Sequence, residues 1–172
     1  RAKAVVTGGA GFIGSHIVGR LLAAGHSVPV LGKFSTGRPQ NLAHLLRDSR
    51  LSVERVDVAN DSQLLALFDG ANWVFHLAAL ADIVPSMDRP LDYHRANVDG
   101  TVAVLEAARQ AGVHRFIYAA SSSCYGIPDR YPTPEIAATR PQYPYALTKV
   151  LGEQCVLHWG QVYRLPVVSL RL

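Results

Sequence analysis

An apolar run, Ala4-Val5-Val6, passes through Thr7-Gly-Gly-Ala-Gly-Phe-Ile-Gly14 into a stretch with helical apolar spacing, so a glycine-rich turn joins a strand to a helix. A strand that feeds a helix in this way begins a βα unit, and a succession of such units folds as a parallel sheet covered on both faces. The glycines divide the work of the turn. Gly8 lets the chain reverse tightly, Gly11 admits an anion against bare backbone, and Gly14 lets the helix lie close on the strand with its positive N-terminus aimed at that anion. The turn therefore reads as a pyrophosphate cradle.

The rest of the chain keeps the alternation. Apolar runs predict strands near 3–7, 27–31, 51–56, 72–77, 113–119 and 166–171, and helical spacing predicts helices over 12–24, 40–47, 61–68, 91–111 and 143–163. Six strands in a right-handed, doubly wound order give an α/β parallel sheet of the Rossmann type, with ligands at the carboxyl ends of its strands. Pro29 conflicts with the second strand, because proline donates no ladder hydrogen bond, and predicts an irregular or edge-facing position there. The proline-rich stretch 128–144 reads as a loop leading into the last helix.

With 172 residues, 49% of them apolar and 17% charged, the chain suits one globular domain with a substantial core, which sets aside disordered and fibrous classes. No apolar run approaches the roughly 20 residues that cross a bilayer, and no signal-peptide segment precedes the first strand, so the expected setting is cytoplasmic and away from membranes. Cys124 and Cys155 stand alone, and no cysteines or histidines are spaced as zinc ligands; reduced thiols and no metal are expected. The net charge of +4 comes from scattered basic residues, which argues against nucleic acid as a partner. The chain begins at Arg1 beside one strand and stops at Leu172 within another, so the expectation is a dinucleotide-binding domain over 1–172 that belongs to a longer protein whose remaining part carries function.

A second signal lies in Tyr145-Ala-Leu-Thr-Lys149, preceded by Ser121-Ser122-Ser123. Tyr145 and Lys149 are four apart on a predicted helix and so share a face. An ammonium near a phenol favours the phenolate, and with the positive charge of an oxidised nicotinamide added the tyrosine is expected to titrate toward neutrality, as a general base must. Lys149 would also bind ribose hydroxyls. The serine run follows a strand at the edge where such sheets place chemistry, within reach of a reacting oxygen. Taken singly, Tyr-x-x-x-Lys is an ordinary amphipathic pair and the serines an ordinary loop; together, behind the glycine turn, they point to nicotinamide redox chemistry.

At this point the chain resembles the extended short-chain dehydrogenases/reductases, and among them the NAD-dependent nucleotide-sugar 4-epimerases. The resemblance runs through Thr7 to His16, Phe34-Ser35-Thr36-Gly37, Asp57-Val58, His76-Leu77-Ala78-Ala79, Asn97-Val98-Asp99-Gly100, Ser121 to Gly126 and Pro144 to Lys149. It implies that Gly8, Gly11, Phe12, Ile13 and Gly14 hold the pyrophosphate and that Lys33, Ser35, Thr36 and Gly37 follow the cofactor after the second strand. It further implies that Asp57 and Val58 border the adenine, that Leu77, Ala78, Ala79 and Ala119 line the nicotinamide side, and that Asn97 orients the loop beneath it. Tyr145 would be the base, Lys149 its partner, Ser121 the catalytic hydroxyl and Ser122 an assistant. For Asp57, Asn97 and the alanines, loop capping or packing explains the residue types as well as direct contact does. Cys124 reads as a packing residue.

One departure stands out. Where the family has an aspartate that grips the adenosine ribose, twenty-four residues past Gly8, this chain has Gly32 followed by Lys33, which tolerates a 2′-phosphate, and Arg38 adds to that. Epimerases recycle their cofactor within one turnover, which favours NAD over NADP. Family members that dehydrate or decarboxylate carry an acid just after the catalytic hydroxyl; here that segment is Ser122-Ser123-Cys124. The implied reaction is thus 4-epimerisation of a UDP-sugar, UDP-glucose/UDP-galactose or the N-acetylated hexosamines. An NADPH-dependent 4-keto reductase and a non-enzymatic dinucleotide sensor are the alternatives. The resemblance also implies a homodimer through helices 91–111 and 143–163, with Val102, Leu105, Leu151 and Val156 as its seam.

Overall fold

The computed structural model describes residues 1–35, 37–60 and 62–172. Among the described residues six strands are present: β1 (Ala4–Thr7), β2 (Val28–Gly32), β3 (Leu51–Arg55), β4 (Trp73–His76), β5 (Arg115–Ala120) and β6 (Val167–Arg171). Every pairing is parallel, and the spatial order is β3-β2-β1-β4-β5-β6. The order runs outward from β1 in one direction and from β4 in the other, so a crevice opens at the carboxyl ends of these two strands. This is the doubly wound α/β sheet that the alternation predicts.

Side chains alternate across each strand, and the core divides accordingly. Ala4 and Val6 of β1 pack with Val28 and Val30 of β2 against Val18, Leu21 and Leu22 of α1 (Phe12–Ala23). Val5 points the other way, into a cluster with Val74, Phe116, Tyr118, Val104, Leu105 and Val156. That second face is covered by α2 (Leu64–Leu67), α5 (Gly100–Ala111) and α6 (Pro144–Tyr163). Between β4 and α5 lie α3 (Ile83–Asp88), α4 (Pro90–His94) and one π turn, Arg95–Asp99.

Several expectations are corrected here. The helix over 40–47 is a 3-10 helix, Pro39–Leu45, and the one over 61–68 contracts to the single turn of α2. The helix over 91–111 starts at Pro90 and is interrupted by the π turn, which reseats the side chains that follow. Pro29 is neither irregular nor at an edge: β2 lies between β1 and β3, and Pro29 pairs in register with Ser52. The Val28 amide donates to Arg50 O on the β3 side, so alternation turns the missing Pro29 donor toward β1, whose ladder with β2 starts only at Val6 and Val30. Of the four seam residues, Leu105 and Val156 are fully buried in the chain's own core, because α5 and α6 pack on β5 and on each other.

Candidate active site

The glycine turn closes on itself through the Gly11 amide, which donates to Gly8 O at 3.1 Å. Gly8 has φ of 71°, and a Cβ there would lie 2.7 Å from the Ala78 nitrogen; at Gly14 a Cβ would overlap the Gly8 carbonyl oxygen. Neither position admits a side chain. The first intrahelical bond of α1 is the Ser15 amide to Gly11 O at 2.9 Å, which leaves the amides of Phe12, Ile13 and Gly14 pointing out of the helix N-terminus. Such amides, together with the positive end of the helix, suit a pyrophosphate.

Above the turn lies a cleft of about 370 Å³, at the crevice between β1 and β4. Gly8, Gly11, Lys33, Ser35, Gly37, Asp57, Val58, Leu77, Ala78 and Ala79 of the predicted set line it. Thr36 lies outside the described residues. Phe12, Ile13, Gly14, Asn97, Ala119, Ser121, Ser122, Tyr145 and Lys149 are not on its wall. Arg89, Asp92 and Arg95 line the cleft although nothing in the sequence singled them out. Asp57 explains why Arg95 is there: its Oδ2 accepts from Lys33 Nζ at 3.0 Å and from Arg95 Nη2 at 3.1 Å, while Oδ1 accepts from the Ala59 amide at 3.1 Å. Burial by itself would raise the Asp57 carboxyl, but Lys33, the Ala59 amide and Arg95 together hold it below its ordinary value.

The second constellation gathers at the end of β5. Ser121 begins a 3-10 turn, Ser122–Tyr125, and its Oγ accepts from the Ser123 amide at 3.2 Å and the Ser123 hydroxyl at 2.8 Å. Tyr145 lies in the first turn of α6. Its ring stands edge-on to Tyr93, and Tyr93 Oη donates to Ala81 O. One turn along α6 comes Lys149, 5% exposed, with Nζ 4.6 Å over the Tyr118 ring, and one turn further comes buried Glu153. Glu153 accepts from Ser169 Oγ at 2.6 Å and Arg171 Nη2 at 2.6 Å, which ties α6 to β6. Ser122 parts from Ser121: its amide donates to Leu172 O, and it faces a separate cleft with Tyr125, Glu135 and Arg171.

The electrostatics differ from expectation. Burial pushes the Tyr145 phenol above its ordinary value, with Ser121 opposing, instead of Lys149 drawing it toward neutrality. Burial likewise pulls Lys149 down to about 8, with Glu153 opposing. The ammonium rests on the Tyr118 ring, and the nearby anion, Glu153, is engaged by Arg171.

A buried polar network, missed in the sequence, joins the two constellations. Thr7 Oγ1 accepts from the amides of Leu77 and Ala78, both at 3.1 Å, and lies 2.6 Å from His76 Nδ1. His76 Nε2 lies 2.9 Å from Thr101 Oγ1, which donates to Asn97 O at 2.7 Å. That assignment makes Thr101 the acceptor from Nε2–H and Thr7 the donor to Nδ1. Burial, with the Lys149 charge adding, holds His76 down to about 3, so the ring is neutral. The Asn97 side chain accepts from the Leu80 amide at 2.8 Å and donates to Leu80 O and Thr148 Oγ1, and Thr148 donates to Tyr145 O at 2.8 Å. The His-Leu-Ala-Ala and Asn-Val-Asp-Gly-Thr segments were visible as motifs, but not that one hydrogen-bonded chain runs through them. Among the described residues no cluster of His, Cys, Asp or Glu is placed to hold a metal ion, and no helix is long and apolar enough to cross a membrane.

The model of a family described as NAD dependent epimerase/dehydratase matches residues 4–172. A UDP-glucose 4-epimerase of Mycolicibacterium smegmatis is 41% identical over 166 residues, covering 95% of this chain and 53% of its own. The solved UDP-N-acetylglucosamine 4-epimerase from Methanobrevibacter ruminantium, in complex with UDP-N-acetylmuramic acid, superposes with a TM-score of 0.93 at 32% identity, over 99% of this chain and 54% of that one. The UDP-glucose 4-epimerase from Brucella ovis, in complex with NAD, does so with a TM-score of 0.90 at 31% identity, over 99% and 51%. The chain thus spans about half the length of the relatives it matches.

Proposed function

The chain belongs to the NAD dependent epimerase/dehydratase family, and on that footing we propose that residues 1–172 are the dinucleotide-binding part of a UDP-sugar 4-epimerase. The observation that carries the reading is that one buried hydrogen-bonded network ties the glycine-walled cleft to the first turn of α6, which bears Tyr145 one turn before buried Lys149. A glycine turn that excludes side chains at Gly8 and Gly14 and presents the first amides of α1 fits a dinucleotide pyrophosphate. When bound, the nicotinamide supplies reversible hydride acceptance at the sugar C4. Tyr145 Oη would take the proton of the sugar 4-hydroxyl and return it to the 4-keto oxygen. Ser121 Oγ would orient the reacting oxygen, and Lys149, one turn along α6 from Tyr145, would supply positive charge and bonds to ribose hydroxyls. Asn97, through Leu80 and Thr148, holds the loop and the first turn of α6 in place. Ser122 faces the other cleft and is the weaker candidate for an assisting role.

The names of the relatives support both UDP-glucose and UDP-N-acetylglucosamine as substrate types. NAD is the dinucleotide we assign, since the reaction has no net redox change, and Gly32 leaves room for a 2′-phosphate as well. A cytoplasmic setting accords with free Cys124 and Cys155, and a homodimer through α5 and α6 would rest on Val102, Leu151 and the exposed Leu157, not on the buried Leu105 and Val156. The Tyr145→Phe variant is expected to lose roughly 10²- to 10⁴-fold in epimerisation rate while retaining dinucleotide affinity. Turnover that requires stoichiometric NADPH would instead establish the 4-keto reductase, and unchanged behaviour of the variant would establish a sensor.

A further inference from the structure

The loop that leaves β4 passes along the dinucleotide cleft and ends beside Tyr145. Leu80 is on the cleft wall, and buried Asn97 holds both of its backbone polar groups: Oδ1 accepts from the Leu80 amide at 2.8 Å and Nδ2 donates to Leu80 O at 2.9 Å. The next carbonyl, that of Ala81, accepts from Tyr93 Oη, and the Tyr93 ring, 1% exposed, stands edge-on to the Tyr145 ring with centroids 6.4 Å apart. Asp82 follows these two pinned residues with φ of 82° and ψ of 139°, a conformation that glycine adopts readily and other residues only at a cost. Such strain persists where its neighbours over-determine the backbone, as Asn97 and Tyr93 do here. The Asp82 side chain is exposed, so it brings no packing in return. Its carboxylate caps no amide of α3 and forms no hydrogen bond or ion pair with the described residues. Burial is the larger cause of the raised Tyr93 and Tyr145 phenols, and the Asp82 charge adds to both, as a carboxylate near the two hydroxyls must.

We propose that Asp82 is a specificity residue of the hexose subsite, accepting hydroxyl hydrogens from a neutral sugar and repelling a sugar that carries a carboxylate at C6. The inference rests on the epimerase reading of the chain. In a pyranose the C6 group is borne by C5, the carbon next to the reacting C4, so a side chain near the Tyr145 hydroxyl is also near C6. An ionised carboxylate offers acceptors only, which suits sugar hydroxyls and leaves an approaching carboxylate without a partner. Like charges set against each other reject the wrong ligand more than they strengthen the right one, and this is what an unpaired anion held on a strained but fixed backbone can do.

The test compares UDP-glucose, UDP-N-acetylglucosamine and UDP-glucuronate as substrates of the whole epimerase to which residues 1–172 are assigned. The unaltered enzyme is expected to favour a neutral sugar nucleotide over UDP-glucuronate by about tenfold or more in kcat/KM, and the preference to narrow between about 0.05 M and about 0.5 M salt, because the repulsion lies in an exposed, screened position. Asp82→Asn keeps the shape and removes the charge, and is expected to raise the relative kcat/KM for UDP-glucuronate about tenfold. Asp82→Gly is expected to do the same while melting no lower than the unaltered enzyme, since glycine relieves the backbone. Equal effects of Asp82→Asn on all three substrates, or an unaltered enzyme that prefers UDP-glucuronate, overturns the specificity role and leaves the epimerase reading standing. An unaltered enzyme that epimerises none of the three overturns both together.

Discussion

Lys149 carries a charge into surroundings that oppose it, being 5% exposed and drawn down to about 8 by burial. Below pH 8 both folded and unfolded chains hold that proton, and the cost of burying it is present in full. Between 8 and the ordinary 10.5 the folded state binds fewer protons, so stability rises with pH across that window. Lys149→Met is therefore expected to stabilise the dinucleotide-free protein by on the order of 2 kcal/mol at pH 7, with the gain fading by pH 10.5 and turnover lost; urea unfolding at several pH values checks it. The pairing of Tyr145 with Lys149 was legible because helical spacing alone puts them on one face. Their ionisation was not, since burial beneath β5 and the grip of Arg171 on Glu153 arise from residues distant in the chain. The same holds for Arg95, whose meeting with Asp57 depends on the π turn and on the end of an edge-side strand.

α6 approaches β5 closely at Gly152, where a Cβ would overlap the Tyr118 hydroxyl and lie 3.1 Å from its ring carbon Cζ. Gly152→Ala is expected to cost about 1–3 kcal/mol, and Tyr118→Phe in the same chain to restore part of that loss, a coupling that a double-mutant cycle in urea measures. β1 and β4 are joined at their ends by Thr7, whose Oγ1 serves the buried amides of Leu77 and Ala78. Thr7→Val keeps the shape but strands those donors, and about 1–3 kcal/mol of destabilisation is expected by the same measurement. All six strands could be read from the sequence; β1 and β2 are buried on both faces and show as plain apolar runs, while the edge strands β3 and β6 are largely exposed. Helices fared less evenly. α3 was missed because Pro85 argues against a helix, yet it sits in the first turn, where a missing amide costs nothing. The 3-10 segment Pro39–Leu45 and the single turn of α2 carry apolar residues at helical spacing, Leu42 and Leu64 among the buried ones, yet neither extends into a regular helix of the expected length.

For the molecule as a whole, several titrations point the same way. His76 is held at about 3 by burial, and Asp57 and Glu153 stay below their ordinary values through their cationic partners. All three favour the folded state above their unfolded values and lose that contribution as pH falls, His76 from about 6.5 downward and the carboxylates below it. Lys149 adds a further rise from about 8, until Cys124, Cys155 and Tyr145, each raised by burial, begin to oppose from about 9 upward. Unfolding free energy is thus expected to be higher at pH 9 than at pH 4, and a near-neutral maximum in urea titrations would contradict it. The histidine at the centre of this behaviour has another consequence. Because His76 is 1% exposed and bonded through both ring nitrogens, its Nε2 proton is shielded from exchange with water and should give a sharp, persistent imidazole resonance. That single signal, halfway between the glycine turn and the first turn of α6, offers a spectroscopic gauge of whether the two ends of the site remain mechanically joined.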